Sequence, residues 1–275
     1  MRLRICHEIS ASFDQPVASA IRTLRMTPRT YDGQYVVDWR IDVDHDCRLS
    51  RAFDSYGNIA HDFFLAGPLD SLVLTAVGEV ETDDTAGVLQ IGERLPVGLF
   101  LRETRLTTPD AAIRDLASDM RSAAGANPLD RCHALMKSLH GRVKLRPLAV
   151  GDVTCASDET AASVLAAGSG SPAGVAHLFV TAARVLGIPA RLVSGYAAFR
   201  DDDTPTDAAW VWAEAQVAGL GWVGFDVAHD RCPTDIYVRV ASGLDQHGIA
   251  FLRGANHGLG AEVLVSKAQV TEVSL

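Results

Sequence analysis

A long apolar segment that begins and ends with helix-boundary residues constrains the fold of this chain more than any other feature. Ser171 is a good N-cap, Pro172 suits the first helical position, and Gly187 with Pro189 marks the end. Three strand-like runs follow the helix, at residues 190–199, 209–217 and 222–228. The last two are joined by a short glycine-containing segment, so they are predicted to form a hairpin. The pattern therefore predicts a central helix packed on an antiparallel sheet.

The first hundred residues have the pattern of β structure. Apolar and polar side chains alternate over residues 37–44, and a similar run over residues 72–80 places its leucines on one face. Turn signals at residues 55–58 and 66–68 lie between these runs. This region is predicted to be an antiparallel sheet or sandwich.

After Pro96, apolar residues recur at helical spacing in three further segments. The first is predicted to begin with Thr108 as its cap and Pro109 as its first helical residue. A second helix is predicted through residues 129–139, and a third from Asp158 to Ala167. All three precede the apolar helix in the chain.

These elements predict an α+β protein with two domains. An N-terminal antiparallel, β-sandwich-like domain is expected over residues 1–100. A helix-on-antiparallel-sheet core is expected over residues 101–275, returning to strands after about Ile249.

Composition excludes several functional classes. The 275 residues are 48% hydrophobic and 21% charged, as in a soluble globular protein, and the net charge of -9 argues against nucleic acid or an anionic membrane as partner. No run of ~18 apolar residues and no basic-then-apolar leader occurs, which predicts neither a membrane span nor secretion.

The cysteines favour a reduced cytoplasmic protein. Five are scattered without CxxC spacing, at positions Cys6, Cys47, Cys132, Cys155 and Cys232. His133 and His140 share a predicted helix, but no third ligand is evident for a metal. No metal or other cofactor is predicted.

Several segments resemble, in order, the motifs of the bacterial transglutaminase-like family, whose core is related to papain-type cysteine proteases. The core segments are Gly170–His177, Gly187–Arg191, Trp212–Glu214 and Gly221–Asp226. The start of the chain resembles the N-terminal region of the same family, at Leu24–Arg29, Trp39 and Tyr56–Asn58. The resemblance implies a transglutaminase-like, papain-like core behind the N-terminal β region.

The same resemblance implies that two of three catalytic positions are substituted. The family begins this helix with a nucleophilic cysteine, and alignment places Pro172 there; Trp210 falls at the histidine position, and Asp226 keeps the aspartate. Proline has no nucleophile and an indole cannot shuttle a proton at neutral pH. Losing both nucleophile and base removes the mechanism. The hairpin is predicted to place Trp210 roughly opposite Asp226.

Other side chains were weighed as replacements. Ser171 lies at the helix start but lacks the usual base, so an N-cap role is favoured. Cys155 is interpreted as structural, and Cys232 is the better-placed thiol. His229 follows the aspartate strand and could enter the cleft, whereas His177 is expected to pack in the core.

Three functions follow as hypotheses. The first is a catalytically degenerate transglutaminase-like protein that acts as a binding or regulatory module for a peptide or protein ligand. The second is an amide acyl transferase or peptidase with a rearranged nucleophile, Ser171 or Cys232. The third is a subunit that supports an active paralogue or a peptide-modifying enzyme. The first predicts that no thiol or imidazole lies within hydrogen-bond reach of Asp226, and that Trp210 either plugs the cleft or offers an apolar platform.

Overall fold

Two antiparallel sheets organise the molecule. A computed structural model describes residues 1–92, 95–123, 125–146, 158–199 and 209–273. The strands are β1 (Arg2–Thr27), β2 (Gln34–Val43), β3 (Ser50–Phe53), β4 (Ile59–Thr82), β5 (Val88–Leu89), β6 (Lys144–Leu145), β7 (Ser169–Gly170), β8 (Ala190–Ala197), β9 (Ala209–Val217), β10 (Gly221–Phe225), β11 (Tyr237–Gly243), β12 (Leu252–His257) and β13 (Glu262–Glu272). The helices are α1 (Ala111–Ala123), α2 (Pro128–Arg142), α3 (Ala161–Ala167), α4 (Pro172–Val185) and α5 (Gln246–Ile249), with 3-10 turns at Val97–Leu101 and Val227–His229.

The first sheet is built on two long strands, β1 and β4. They run antiparallel from the Arg2–Glu81 pair to the Thr27–Ile59 pair. The strand order is β12-β1-β4-β2, with β13 also pairing with β1 and β3 with β4. The C-terminal strands therefore complete the first sheet, whereas the sequence assigned them to the core domain. Their alternation revealed a strand but carried no information about its partner.

One of the two predicted turns is absent from the described part of the chain. At residues 55–58 the chain does turn, with Asp54 N–H bonded to Asn58 O at 3.0 Å. At residues 66–68 it stays within β4, so that prediction was wrong. The register between β1 and β4 shifts on both sides of Val17, so the two strands bend together without reversing.

The second sheet supports the helices. Its order is β11-β8-β9-β10-β5, entirely antiparallel, and it includes the predicted hairpin of β9 and β10. Buried side chains of α4 pack with Leu192, Val211 and Ala213 of this sheet. The predicted fold class is confirmed: an antiparallel sheet region is followed by helices packed on an antiparallel sheet.

Helix boundaries follow their caps. α4 begins as predicted, because the Ser171 hydroxyl accepts from Gly174 N–H at 3.1 Å and Pro172 occupies the first turn. α1 starts later than predicted: Asp110, not Thr108, accepts from Ile113 N–H at 2.9 Å. α3 starts at Ala161 for the same reason, since Thr160 is its cap.

No helix within the described ranges is long and apolar enough to cross a membrane.

Candidate functional site

The start of α4 carries no reactive side chain at the predicted cysteine position. Pro172 is buried in the first turn. Ser171, immediately before it, is buried with its hydroxyl oxygen accepting from Gly174 N–H. This arrangement stabilises the helix and presents no nucleophile at residue 172.

A carboxylate occupies the positive end of this helix. Glu159 Oε2 accepts from Ser171 N–H at 3.0 Å, and Glu159 Oε1 pairs with the Arg146 guanidinium. A Cβ atom built on Gly174 would lie 2.8 Å from Oε2, so the carboxylate rests against the first turn. Glu159 was not predicted to lie here, because it precedes Ser171 by twelve residues and belongs to a different segment of the chain.

The charge of Glu159 is stabilised by its donors. Burial by itself would raise the pKa of this carboxyl group, but hydrogen bonds from Ser171 and the nearby Arg146 charge lower it overall. The anion also complements the α4 dipole. A negative charge is therefore held at the helix start, where a thiolate would stand in a cysteine-based enzyme.

His177 lies in the core, as predicted. Its Nδ1 contacts Glu159 O at 3.2 Å, and its Nε2 accepts from Gln246 N–H at 3.1 Å. Burial lowers its pKa to about 4. The neutral ring ties the Glu159 backbone and the segment after β11 to α4, and both its nitrogens are occupied.

Asp226 is the centre of a second polar cluster. Its Oδ2 accepts from Trp210 Nε1–H at 2.9 Å and from the Tyr237 hydroxyl at 2.7 Å. The same oxygen contacts His229 Nδ1 at 2.8 Å. The predicted contact between Trp210 and Asp226 is therefore present.

Contact with His229 corrects one expectation of the sequence analysis. An imidazole was predicted to be out of reach of Asp226, and the structure places one in hydrogen-bond contact. The reason is the 3-10 turn over Val227–His229, which folds the chain back so that residue 229 faces residue 226. Helical periodicity of the apolar residues could not reveal so short a turn.

Asp226 and two aromatic rings fix the orientation of the His229 ring, but the ring stays partly exposed to solvent. It packs 4.3 Å from Phe199 and 4.9 Å from Trp210, centroid to centroid. Its side chain is 16% exposed, and its Nε2 makes no hydrogen bond to any described residue. The Asp226–His229 pair thus resembles the orienting half of a triad, with one ring nitrogen available.

The β9–β10 register differs slightly from the predicted one. Ala213 pairs with Phe225, so Trp212 rather than Trp210 is in line with Asp226. Trp210 reaches the carboxylate diagonally across the hairpin. It is fully buried in an aromatic cluster with Trp212 and Tyr237, which fills the space that a histidine would leave open.

The two halves of the site are neighbours through β6. Leu145 pairs with Gly170, directly before Ser171, and also packs against the aromatic cluster of Trp210. The helix start and the Asp226 cluster therefore face a common region. Ser171 and His229 are not hydrogen-bonded to each other.

Cys232 is poorly suited to nucleophilic attack. Burial raises the pKa of the Cys232 thiol, so it is protonated near neutral pH. Cys232 packs closely against Gly87: a Cβ atom added to Gly87 would lie 2.8 Å from the Cys232 Cβ atom. Cys155 lies outside the described residues.

The helical histidines are engaged in packing. His133 contacts the Phe225 ring at 5.3 Å, and His140 Nδ1 lies 3.0 Å from Val227 O. Within the portion of the chain that the structure describes, no group of three or more metal-binding side chains is found.

Glu214, at the end of the Trp212–Glu214 segment, has a structural role. Glu214 is buried and accepts from Arg191 at 2.6 Å and from Arg239 at 2.7 Å. Burial would raise the Glu214 pKa, but Arg239 and Arg191 lower it overall. Arg191 also lies 3.7 Å from the Trp222 ring centroid, so these motif residues hold β8, β9, β10 and β11 together.

Two family models match the chain in consecutive order. Residues 3–81 match the bacterial transglutaminase-like N-terminal region, and residues 114–227 match the transglutaminase-like superfamily. The first match falls on the long-stranded sheet, and the second runs from α1 to the turn after Asp226. The chain therefore combines a bacterial transglutaminase-like N-terminal region with a transglutaminase-like core.

Similar proteins extend over nearly the whole chain. Uncharacterized protein ML0607 of Mycobacterium leprae is 25% identical over 284 residues, covering 99% of both chains. Uncharacterized protein Rv2569c of Mycobacterium tuberculosis is 27% identical, covering 92% of this chain and 87% of its own. The crystal structure of a "putative cysteine protease" from Cytophaga hutchinsonii superposes with a TM-score of 0.76 at 17% identity, over 100% of this chain and 92% of that one. At that identity the structural likeness shows the fold alone.

Proposed function

We propose that this chain is a transglutaminase-like protein without Cys-His-Asp acyl-transfer or protease activity, serving as a non-catalytic binding or regulatory module. Its ligand is a peptide or protein, either free or as part of an active paralogue or a peptide-modifying enzyme. The scattered free cysteines favour a reducing cytoplasmic compartment for it.

One observation carries the proposal: the Trp210 indole donates its N–H to Asp226 at 2.9 Å. In a cysteine-based acyl transferase the aspartate orients an imidazole that accepts and returns a proton. Here the same carboxylate orients a ring that can only donate. Asp226 Oδ2 also accepts from the Tyr237 hydroxyl, so two of its three contacts fix buried aromatic side chains and the third is to His229.

The helix start supports the same conclusion. Pro172 offers no nucleophile, and the Glu159 carboxylate already occupies the positive helix end. A thiolate depends on that same end for its stabilisation. The site is arranged to hold an internal carboxylate rather than to activate a thiol.

A second candidate function is favoured by the Asp226–His229 contact of 2.8 Å. An amide acyl transferase or peptidase could use His229 Nε2 as base with Ser171 or Cys232 as nucleophile. The hydrogen bonds of Ser171 to Glu159 and the raised pKa of Cys232 argue against either partner. We therefore rank this function second.

Brief iodoacetamide labelling followed by peptide mass spectrometry tests the thiol part of the proposal. Cys6 is exposed and provides an internal reference rate. Cys232 is expected to react more slowly than Cys6 at pH 7, because it is partly buried and burial raises the pKa of its thiol. A Cys232 rate well above that of Cys6 would favour the second candidate.

A fluorophosphonate probe tests the serine part. Ser171 is expected to remain unlabelled in the folded protein, because the residue is buried and its hydroxyl oxygen caps α4 by accepting from Gly174 N–H. Labelling of Ser171 that disappears in His229→Gln would establish a working dyad and overturn the proposal. His257→Gln is the matched control, because His257 is an exposed residue of β12 in the first sheet.

A further inference from the structure

A groove of about 830 Å³ lies in the first sheet, away from the site described above. It is bounded by residues 27–30 after β1, by β2, by β3 and by the start of β4. Its volume falls within the range of ligand-binding clefts, which is roughly 300–1,000 Å³. The catalytic positions lie in the core, so the core chemistry does not account for this groove. Arg29 and Trp39, which line it, belong to the segments that resemble the family's N-terminal region.

Aromatic and aliphatic side chains line this groove. Trp39 and Ile41 of β2 are partly buried along its wall. At its rim Phe53 is 51% exposed and Val37 is 36% exposed. Exposed apolar side chains around a concave surface are typical of a site that another molecule covers.

Two guanidinium groups flank the exposed ring. Arg29 and Arg51 each lie 5.9 Å from the Phe53 centroid. Arg51 forms no ion pair with any described acidic residue, and its cross-strand neighbour is His61. Asp38 is the acidic residue of the lining. The net charge of the chain is -9, so two neighbouring arginine side chains form a locally positive surface on an acidic protein.

Polar atoms of the lining are also without partners. Trp39 Nε1 and His61 Nδ1 are buried and form no hydrogen bond with the described residues. Buried polar groups in native proteins usually have a partner, in the protein, in water or in a ligand. Burial, together with the Arg51 charge, lowers the pKa of His61. The neutral imidazole leaves the two arginines as the cationic groups of the groove.

We propose that this groove binds a short segment of a partner protein in which acidic and apolar side chains alternate. The carboxylates would pair with Arg51 and Arg29, and the apolar side chains would cover Phe53 and Trp39. Tryptophan and arginine are the residue types that most often dominate binding energy at protein interfaces, and arginine suits bidentate carboxylate binding. The proposal is independent of whether the core is catalytic, since none of these residues lies in it.

Fluorescence anisotropy with two dye-labelled hexapeptides tests the proposal. One alternates Glu and Phe, and the other alternates Lys and Phe. The acidic peptide is expected to bind at least about tenfold more tightly, because like charges are excluded from the arginine pair. No saturable binding of the acidic peptide, or equal binding of both, would overturn the proposal.

Charge reversal localises the binding. Arg51→Glu is expected to lower the affinity for the acidic peptide about tenfold or more, and Phe53→Ala is expected to lower it several-fold. Arg40→Glu is the matched control, since Arg40 lies on the same sheet, is 72% exposed, pairs with Asp42 and does not line the groove. It is expected to change affinity by less than about twofold. If Arg40→Glu weakens binding as much as Arg51→Glu, the attraction is diffuse and the groove is not the site.

Folding of each variant is checked by circular dichroism and thermal unfolding. Arg51 and Phe53 are exposed, so both variants are expected to fold. If Arg51→Glu does not fold, Arg51→Ala gives the same test, and unchanged affinity in a folded Arg51→Ala variant counts against the proposal.

Discussion

The start of α4 and the surroundings of Asp226 each hold a carboxylate, but different kinds of hydrogen-bond donor surround the two. At α4, the Glu159 carboxylate is held by the backbone N–H and the side chain of Ser171 and by the Arg146 guanidinium. At Asp226 the donors are three side chains, and one of them is a partly exposed imidazole. The helix start is therefore fixed by groups that keep their charge and protonation near neutral pH.

The largest effect is expected from removing the Asp226 side chain. Asp226→Ala leaves the Trp210 and Tyr237 donors without an acceptor in a buried cluster, and it also frees His229. We expect a loss of about 3–5 kcal/mol in the free energy of unfolding. Urea denaturation of the variant and the wild type measures it.

Tyr237→Phe is the graded control for that experiment. It removes one donor and leaves the carboxylate with two, so a loss of about 1–2 kcal/mol is expected. An Asp226→Ala loss no larger than that of Tyr237→Phe would show that the aromatic packing, and not the carboxylate, holds the cluster together.

A pH dependence is expected on the α4 side from His177. Burial lowers its pKa from 6.5 to about 4 in the folded protein. Below pH 6.5 the unfolded chain binds a proton that the folded protein does not, so stability is full above pH 6.5 and falls as the pH drops towards 4. The slope approaches about 1.4 kcal/mol per pH unit, which gives roughly 2 kcal/mol between pH 6.5 and 5.

Urea denaturation at pH 7.5, 6 and 5 measures this slope. His177→Gln should lose stability at every pH but have a shallower dependence than the wild type. His7 has a pKa lowered to about 3 by burial and acts in both proteins, so the difference between the slopes isolates His177. Equal slopes would mean that burial does not lower the pKa of His177 in the folded protein.

Glu159→Gln tests the carboxylate at the helix start. The variant keeps the shape but loses the ion pair with Arg146 and the interaction with the helix dipole. We expect a loss of about 1–2 kcal/mol at pH 7. Since the folded-state pKa of Glu159 is lowered, this difference should be full above the unfolded-state pKa of about 4.3 and shrink as the pH falls through the folded value.

Thermal or urea unfolding of Glu8→Gln provides the comparison. Glu8 is an exposed residue of β1, so its neutralisation is expected to change stability by less than about 0.5 kcal/mol. A Glu159→Gln variant as stable as Glu8→Gln would remove the distinction between the helix start and an ordinary surface carboxylate.

The sequence predicted what local signals encode. The cap and first turn of α4 and the β9–β10 hairpin were predicted because each is specified by adjacent residues. The pairing of β12 and β13 with β1 was missed, because alternation fixes a strand's faces and not its partner. The turn expected at residues 66–68 became a bend within β4 for a related reason: the matching irregularity lies near Val17, far away in the sequence.

In the site too, only the contact that depends on a local element was predicted. The contact of Trp210 with Asp226 followed from the hairpin. Glu159 and His229 were not predictable as contacts, because one approaches α4 from another helix cap and the other is oriented by a three-residue 3-10 turn. Both are side chains whose direction depends on backbone turns that composition does not specify.

The smallest free-energy effect is expected for thiol reactivity, after the cysteine and histidine of the family's catalytic positions are introduced at residues 172 and 210. In the variant Pro172→Cys with Trp210→His, a thiol is placed at the helix start and an imidazole beside Asp226. Iodoacetamide labelling at pH 7, with Cys6 as the reference, should show some thiol reactivity at residue 172. The Glu159 carboxylate at the same helix end disfavours the thiolate, so adding Glu159→Gln should raise the rate several-fold, worth less than about 1.4 kcal/mol. A thiol that stays inert with and without Glu159→Gln would mean that packing around Trp210 and Pro172 has closed the cleft, and that charge at the helix start no longer decides its reactivity.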